Sequence, residues 1–327
     1  MLLRVQHETK LSYTHNVSET VFEVRMAPPS DDDQTCLDYR LRINPSAPVT
    51  VYHDGFGNRV DLFNIFTPYR ELLMRSTSVV RTHRAPGGPK LAEVAFEPEK
   101  DEFQAVEALD SRTHSALVGP GPEMSRFLDS LPDTRGSMLE VVQRLIHATR
   151  SRLVYEKKVT SARTPVDEAL RLGRGVCQDF AHLFIGACRG VGLPARYVSG
   201  YIHEPGEIAT HAWCQVWAGR NGWVDVDPTR GVIVDDDYVK IGLGRDYLDV
   251  PPNRGIWRGQ ADEAIGVVVK VEPMQRVPTD WTESSDGQAP WSAASWIQSE
   301  RQSQRLRPAQ MQAAGYRQQQ SQQQQHA

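Results

Sequence analysis

The stretch Gly173-Arg-Gly-Val-Cys-Gln-Asp-Phe-Ala-His182 sets a cysteine at the start of a helix that runs from near Val176 to about Arg189. Phe180, Phe184, Ala187 and Cys188 supply its apolar face, and Gly190 and Gly192 end it. Unpaired N–H groups and the positive end of the dipole gather at a helix N-terminus, and both favour a thiolate over a thiol. The flanking glycines let the backbone approach the sulfur and leave room for a substrate carbonyl. Cys177 is therefore the candidate nucleophile. A thiolate of this kind needs an imidazole partner, and the imidazole needs a third group to fix its tautomer. His211 begins the strand His211-Ala-Trp-Cys-Gln-Val-Trp217, and Asp227 lies in the next one, Gly222-Trp-Val-Asp-Val-Asp-Pro-Thr229. Joined by Ala218-Gly-Arg-Asn-Gly222, these strands read as an antiparallel pair that brings imidazole and carboxylate side by side. Asp225 alternates onto the same face as Asp227 and is a minor rival for the orienting role.

The neighbouring chemistry-bearing residues have plainer readings. Cys36 and Cys188 read as small buried hydrophobes, and Cys214, three residues after His211, points to the opposite face of its strand and into the core. His182 lies about 140° round the helix from Cys177 and reads as a structural histidine donating to backbone. Asp179 complements the dipole in the first helical turn, and Trp213 and Trp223 read as core. No cysteines or histidines fall at the paired spacing of structural zinc, and no glycine-rich phosphate cradle is present, so neither metal nor cofactor is expected.

Outward from this centre, residues 1 to about 81 alternate at period two. Val5, His7, Thr9, Leu11 and Tyr13 form one strand, then Phe22, Val24 and Met26, then Tyr39, Leu41 and Ile43, then Val49 and Val51, with Val60, Leu62, Leu72 and Met74 beyond the turn Asp54-Gly-Phe-Gly-Asn58. Such spacing predicts an all-β sandwich or barrel-like module, bounded by the loop composition of Thr82-His-Arg-Ala-Pro-Gly-Gly-Pro89. Met138, Val141, Val142, Leu145 and Ile146 predict an amphipathic helix. Thr164 as N-cap with Pro165 at the first position predicts another, ending at Gly173. Strands return at 195–201, 212–217, 223–226 and 265–271. From Arg301 to Ala327 there are 11 glutamines, four arginines and no acid, a composition that predicts disorder. Trp281, Trp291 and Trp296 either latch onto a domain surface or belong to this unstructured end. The expected domains are 1–95 (β module), 105–275 (core) and 276–327 (linker and tail).

Composition narrows the function. With 327 residues and a net charge of −4, the chain has the size of two domains and no basic surface for nucleic acid. Four cysteines are too few for a disulfide scaffold and fit a reducing compartment. No apolar run is long enough for a membrane span or a secretory signal, so a cytoplasmic setting without membrane partners is expected.

Gly175-Val-Cys-Gln-Asp-Phe-Ala-His182, His211-Ala-Trp213 and Asp227-Pro-Thr229 together resemble the three core motifs of the transglutaminase-like superfamily. Tyr52-His-Asp-Gly-Phe-Gly-Asn-Arg59 is similar to the N-terminal domain of bacterial transglutaminase-like proteins classed with cysteine proteases, and Gly244-Arg-Asp-Tyr-Leu-Asp-Val-Pro-Pro252 to the stretch after their core. The resemblance spans roughly residues 1–275. It implies an α+β chain: a β-sandwich-like module, then a papain-like (transglutaminase-like) core with a nucleophile helix packed on an antiparallel sheet. It also implies Cys177 as nucleophile, His211 as general base and acid, and Asp227 as orienter. The implied activity is cysteine-dependent acyl transfer at amide bonds of a protein or peptide, ending in hydrolysis (protease or amidase) or amine transfer (transglutaminase). An inactive papain-like binding or scaffolding module is the alternative. Where the bacterial pattern commonly has Asn after Asp-Pro-Thr, this chain has Arg230, which either recognises an anionic substrate group or points to solvent.

Overall fold

Alternation governs the N-terminal module of the computed structural model, which describes residues 1–277 apart from 101, 102, 104 and 205–209. The three C-terminal tryptophans and the glutamine-rich tail lie outside the described residues. β1 (Leu2–Val24) buries Leu3, Val5, His7, Thr9, Leu11 and Tyr13 at period two, with Glu8 buried on the other face. The sequence suggested two strands here; there is one, 23 residues long, with an irregularity in its pairing between Ser12 and Val17 where it bends. β2 (Gln34–Asn44), β3 (Val49–His53), β4 (Arg59–Ile65) and β5 (Tyr69–Thr82) complete the N-terminal strands. The first half of β1 pairs with β5, which pairs with β2, and the second half pairs with β4, which pairs with β3. Bending β1 folds the two leaves over one core of Leu11, Tyr13, Val17, Phe22, Val24, Phe63, Leu72 and Met74. β3, expected to be half-buried, is exposed along its whole length because it forms an outer edge.

The chain then turns helical through α1 (Gly87–Ala92), α2 (Pro122–Asp129) and α3 (Met138–Arg152). Ser137 and Glu140 close a capping box on α3, whose buried stripe is Met138, Val141, Val142, Leu145 and Ile146. β6 (Val154–Tyr155) runs parallel to β7 (Arg174–Gly175), with α4 (Val166–Leu172) between them. Pro165, not Thr164, is the N-cap of α4, since proline's missing N–H is harmless there; the Thr164 hydroxyl instead accepts from the Ser161 N–H. α5 (Cys177–Gly190) packs across an antiparallel sheet ordered β11-β10-β9-β8-β12. Its strands are β8 (Ala195–Ile202), β9 (Thr210–Trp217), β10 (Trp223–Asp227), β11 (Val232–Ile233) and β12 (Tyr238–Gly244). Ala181, Phe184, Ile185 and Cys188 of α5 meet Ala195, Tyr197, Ala212, Cys214 and Val216 in a continuous apolar core. Each large side chain fully buried there contributes roughly 1.5–3 kcal/mol. Cys36, by contrast, is only half-buried on β2, its thiol donating to the Asp38 carbonyl 3.4 Å away.

β13 (Asn253–Arg258) and β14 (Glu263–Pro273) return to the N-terminal module and pair along the two halves of β1. The sequence reading grouped these residues with the core; their partners lie at the other end of the chain. A sandwich-like β module thus precedes and embraces a papain-like core. Leu3, Val5, Val80 and Val269 of the module pack on Tyr201, Val239 and Ile241 of the core sheet. Two buried amides join the halves more specifically. Gln34 donates to the Lys240 carbonyl and accepts from the Lys240 N–H, both at 2.9 Å. Asn58 does the same with Leu243, both at 2.7 Å. An amide that donates and accepts on one residue imitates a neighbouring strand, so β12's outer edge is closed by side chains.

Candidate active site

Cys177 stands at the first turn of α5, half-buried, behind an N-cap (Val176) in extended geometry. Asp179 holds that turn: its Oδ2 accepts from the Val176 N–H at 2.8 Å and from the Thr160 hydroxyl at 2.7 Å. Burial pushes the Asp179 carboxyl above its ordinary range against these bonds. A Cβ on Gly175 would lie 2.5 Å from the same Oδ2, which is why glycine precedes the N-cap. Gln178, next to the cysteine, turns away, its amide 3.3 Å from the Ala162 carbonyl.

β9 and β10 bring the other two residues in. The His211 Nε2–H donates to Asp227 Oδ2 at 2.7 Å, and the ring makes a further hydrogen bond with Cys177, for which Nδ1 is the remaining nitrogen. Asp227 has no exposed side-chain surface. Its Oδ2 also accepts the Tyr238 hydroxyl at 2.8 Å, while Oδ1 accepts the backbone N–H groups of Thr229 at 2.8 Å and Arg230 at 3.1 Å. Burial would raise the Asp227 carboxyl, but the bonds from His211, Arg230 and Tyr238 hold it below its usual range. For His211 burial works against the charged ring; the bonds to Asp227 and Cys177 outweigh it and bring the imidazole up to about 10. At neutral pH the ring is an imidazolium clasped between a carboxylate and a sulfur.

The rival carboxylate is occupied elsewhere. Asp225 accepts from the Trp213 indole at 2.6 Å and from the Gln215 amide at 3.0 Å, and does not touch His211. Trp213 is fully buried, with its ring 24° from parallel to the imidazole and the centroids 6.3 Å apart. A Cβ on Gly200 would lie 2.3 Å from that indole, so glycine on β8 makes room for it. Cys214 faces the other way, its thiol donating to the Ala181 carbonyl. His182 is buried and held neutral by that burial, at about 4. It accepts the Tyr247 N–H at 3.2 Å rather than donating to backbone as expected, so its proton sits on Nδ1. The Arg230 guanidinium reaches Glu204 at 3.3 Å and hydrogen-bonds the Tyr238 oxygen. Tyr238 and Thr160 were not legible as site residues, since neither stands at a motif spacing from the triad. Among the described residues no three His, Cys, Asp or Glu side chains converge as metal ligands would, and no helix is long and apolar enough to cross a membrane.

Comparison with known proteins agrees with this architecture. Residues 127–228 match the model of the transglutaminase-like superfamily, and residues 3–81 that of the bacterial transglutaminase-like N-terminal region. An uncharacterised protein of Mycobacterium leprae is 31% identical over 277 residues, 82% of this chain and 98% of the relative. A 68-residue segment is 34% identical to the protein-glutamine gamma-glutamyltransferase of Pseudomonas aeruginosa, covering 18% of this chain and 10% of that protein. A crystal structure from Cytophaga hutchinsonii, described as a "Putative Cysteine Protease", superposes with a TM-score of 0.67 at 19% identity, over 86% of this chain and 95% of that one, and so shares the fold. With its helix-borne cysteine, its strand-borne histidine and aspartate, and both family regions in order, the chain belongs to the transglutaminase-like superfamily.

Proposed function

We propose that this protein is a thiol enzyme that transfers acyl groups from amides of a peptide or protein through a thioester on Cys177. The observation that supports this most is the closed hydrogen-bond chain Cys177–His211–Asp227, with the carboxylate fully buried and four donors on its two oxygens. A packing histidine does not need a buried, ionised carboxylate held this firmly; a proton-transferring one does. In the proposed reaction Cys177 Sγ attacks the amide carbon and the carbonyl electrons move to oxygen. The Cys177 backbone N–H, in the first turn of α5, is the donor assigned to that oxyanion. His211 then gives its Nδ1 proton to the departing nitrogen as the C–N bond breaks, leaving the thioester. In the second half His211 takes a proton from water or from an amine as it attacks, and the thiolate leaves.

The test is incubation with a glutamine-containing peptide and a labelled primary amine, beside the Cys177→Ala variant. Amine incorporation or peptide hydrolysis that Cys177→Ala abolishes supports the proposal and separates its two endings. Equal product with and without the sulfur refutes it, and a wild type that never forms a thioester with any peptide amide points to the binding-module alternative.

A further inference from the structure

Tyr238 opens β12, is almost completely buried, and reaches the triad from a strand that carries none of its members. Its hydroxyl lies 2.8 Å from Asp227 Oδ2, the same oxygen that accepts the His211 Nε2–H. On the other side the Arg230 guanidinium donates to the phenolic oxygen. A guanidinium has no lone pair to accept with, and an ionised carboxylate has no proton to give. The phenolic proton therefore has one destination, Asp227 Oδ2. The ring is placed with equal economy: edge-on to Trp213 at 5.3 Å and 6.0 Å from the His211 imidazole. Among the described residues, the charged and titratable groups around His211 are thus Cys177 from α5, Asp227 from β10, Tyr238 from β12, and Arg230 with its partner Glu204 one step behind the tyrosine.

We propose that Tyr238 is a positioning residue for the acyl-transfer reaction: its hydroxyl fixes the Asp227 carboxylate toward His211 and takes part of the negative charge that the imidazolium would otherwise see. The backbone N–H groups of Thr229 and Arg230 anchor only Oδ1. Tyr238 holds Oδ2 independently of the ring it serves, so the carboxylate stays turned toward His211 whether or not the imidazole donates. A carboxylate that also serves a phenol is a weaker acceptor for the imidazolium. His211 is therefore a better acid toward a leaving amine than an unshared carboxylate would let it be. The catalytic consequence rests on the proposed function; the ionisation consequence does not.

The experiment compares wild type with Tyr238→Phe and with site-specific 3-fluorotyrosine at 238, following the His211 ring by NMR of ¹³C-histidine-labelled protein. Removing the hydroxyl raises the His211 midpoint by roughly half a pH unit or more, and the fluorinated phenol, a stronger donor, lowers it. On the glutamine-containing peptide, Tyr238→Phe lowers kcat several-fold and leaves KM alone. Unshifted midpoints in both folded variants overturn the proposal and leave the tyrosine a packing residue. Because those midpoints are read without turnover, they stand even if Cys177→Ala retains activity, an outcome that sinks the proposed function alone.

Discussion

Asp227→Asn is nearly isosteric, and its effect follows from who donates to whom. Oδ1 of Asp227 receives two backbone N–H groups, from Thr229 and Arg230, and backbone donors cannot reverse. The asparagine must therefore point its carbonyl oxygen at them and its NH2 at His211 and Tyr238. The Tyr238 hydroxyl, which already accepts from Arg230, then faces an amide donor and loses the acceptor for its own proton. The His211 Nε2 can accept only if it carries no proton, which confines the ring to the neutral tautomer with hydrogen on Nδ1. That nitrogen then donates to the sulfur and can no longer take a proton from it. The wild-type ring sits at about 10 against an ordinary 6.5, a preference for the charged form on the order of 4–5 kcal/mol shared between Asp227 and Cys177. Losing the carboxylate's share leaves only the sulfur to oppose burial and brings the midpoint down. Fixing the wrong tautomer in a triad lowers kcat by roughly 10³–10⁴-fold while the fold survives. The assay is turnover of the glutamine peptide together with the pH dependence of Cys177 alkylation by iodoacetamide, followed by mass spectrometry. An Asp227→Asn variant with a wild-type alkylation profile and turnover within about threefold would refute this reasoning, for Asp227 would then not determine the state of His211.

Two further outcomes come from the same structure. His211 has a raised pKa in the fold, so its contribution to stability is complete below about 6.5 and fades as pH rises toward about 10. Urea unfolding should show the gap between wild type and His211→Gln shrinking across that window, and parallel curves would contradict it. Asn58→Leu and Gln34→Leu each strip partners from one buried N–H and one buried C=O of β12. At about 1–3 kcal/mol per orphaned group, each should lower unfolding free energy by roughly 2–6 kcal/mol; losses under ~0.5 kcal/mol would show that water replaces the amides without cost.

How much was legible depends on whether local pattern carried the information. The nucleophile helix announced itself through Gly175, Cys177 and the apolar positions behind them, and alternation alone sent Cys214 away from His211. Asp225 and Asp227 could not be separated by alternation because they share a face; indole and amide donors two residues apart on β9 divide them. Nothing local marks Tyr238, whose partner Asp227 lies across a turn and on another strand, or Gln34, whose partner Lys240 is 206 residues away. The long-range pairing of β1 with β13 and β14 is likewise invisible to a period-two pattern, which gives faces but not neighbours.

The turn Asp54-Gly-Phe-Gly-Asn58 shows what the N-terminal module contributes. Asp54 Oδ1 accepts the Phe56 and Asn58 N–H groups and Oδ2 accepts the Asn58 amide, so the side chain that grips Leu243 is itself held rigid. At the other grip, Lys240 is buried with its ammonium 2.7 Å from Asp31 of the module, while Asp225 of the core shares its field from the other side. Both grips act on β12 within five residues of Tyr238, and β12 touches the triad through that tyrosine. The module therefore does more than cover the core. It supplies the missing neighbour to an edge strand whose pairing with β8 slips between Lys240 and Gly242, and that strand is the one from which the Tyr238 hydroxyl reaches Asp227. Mutations at Gln34 or Asn58, distant from Cys177 along the chain, should on this account move the His211 midpoint in the same direction as Tyr238→Phe; a loss of stability alone, with that midpoint fixed, would confine the module to a structural role.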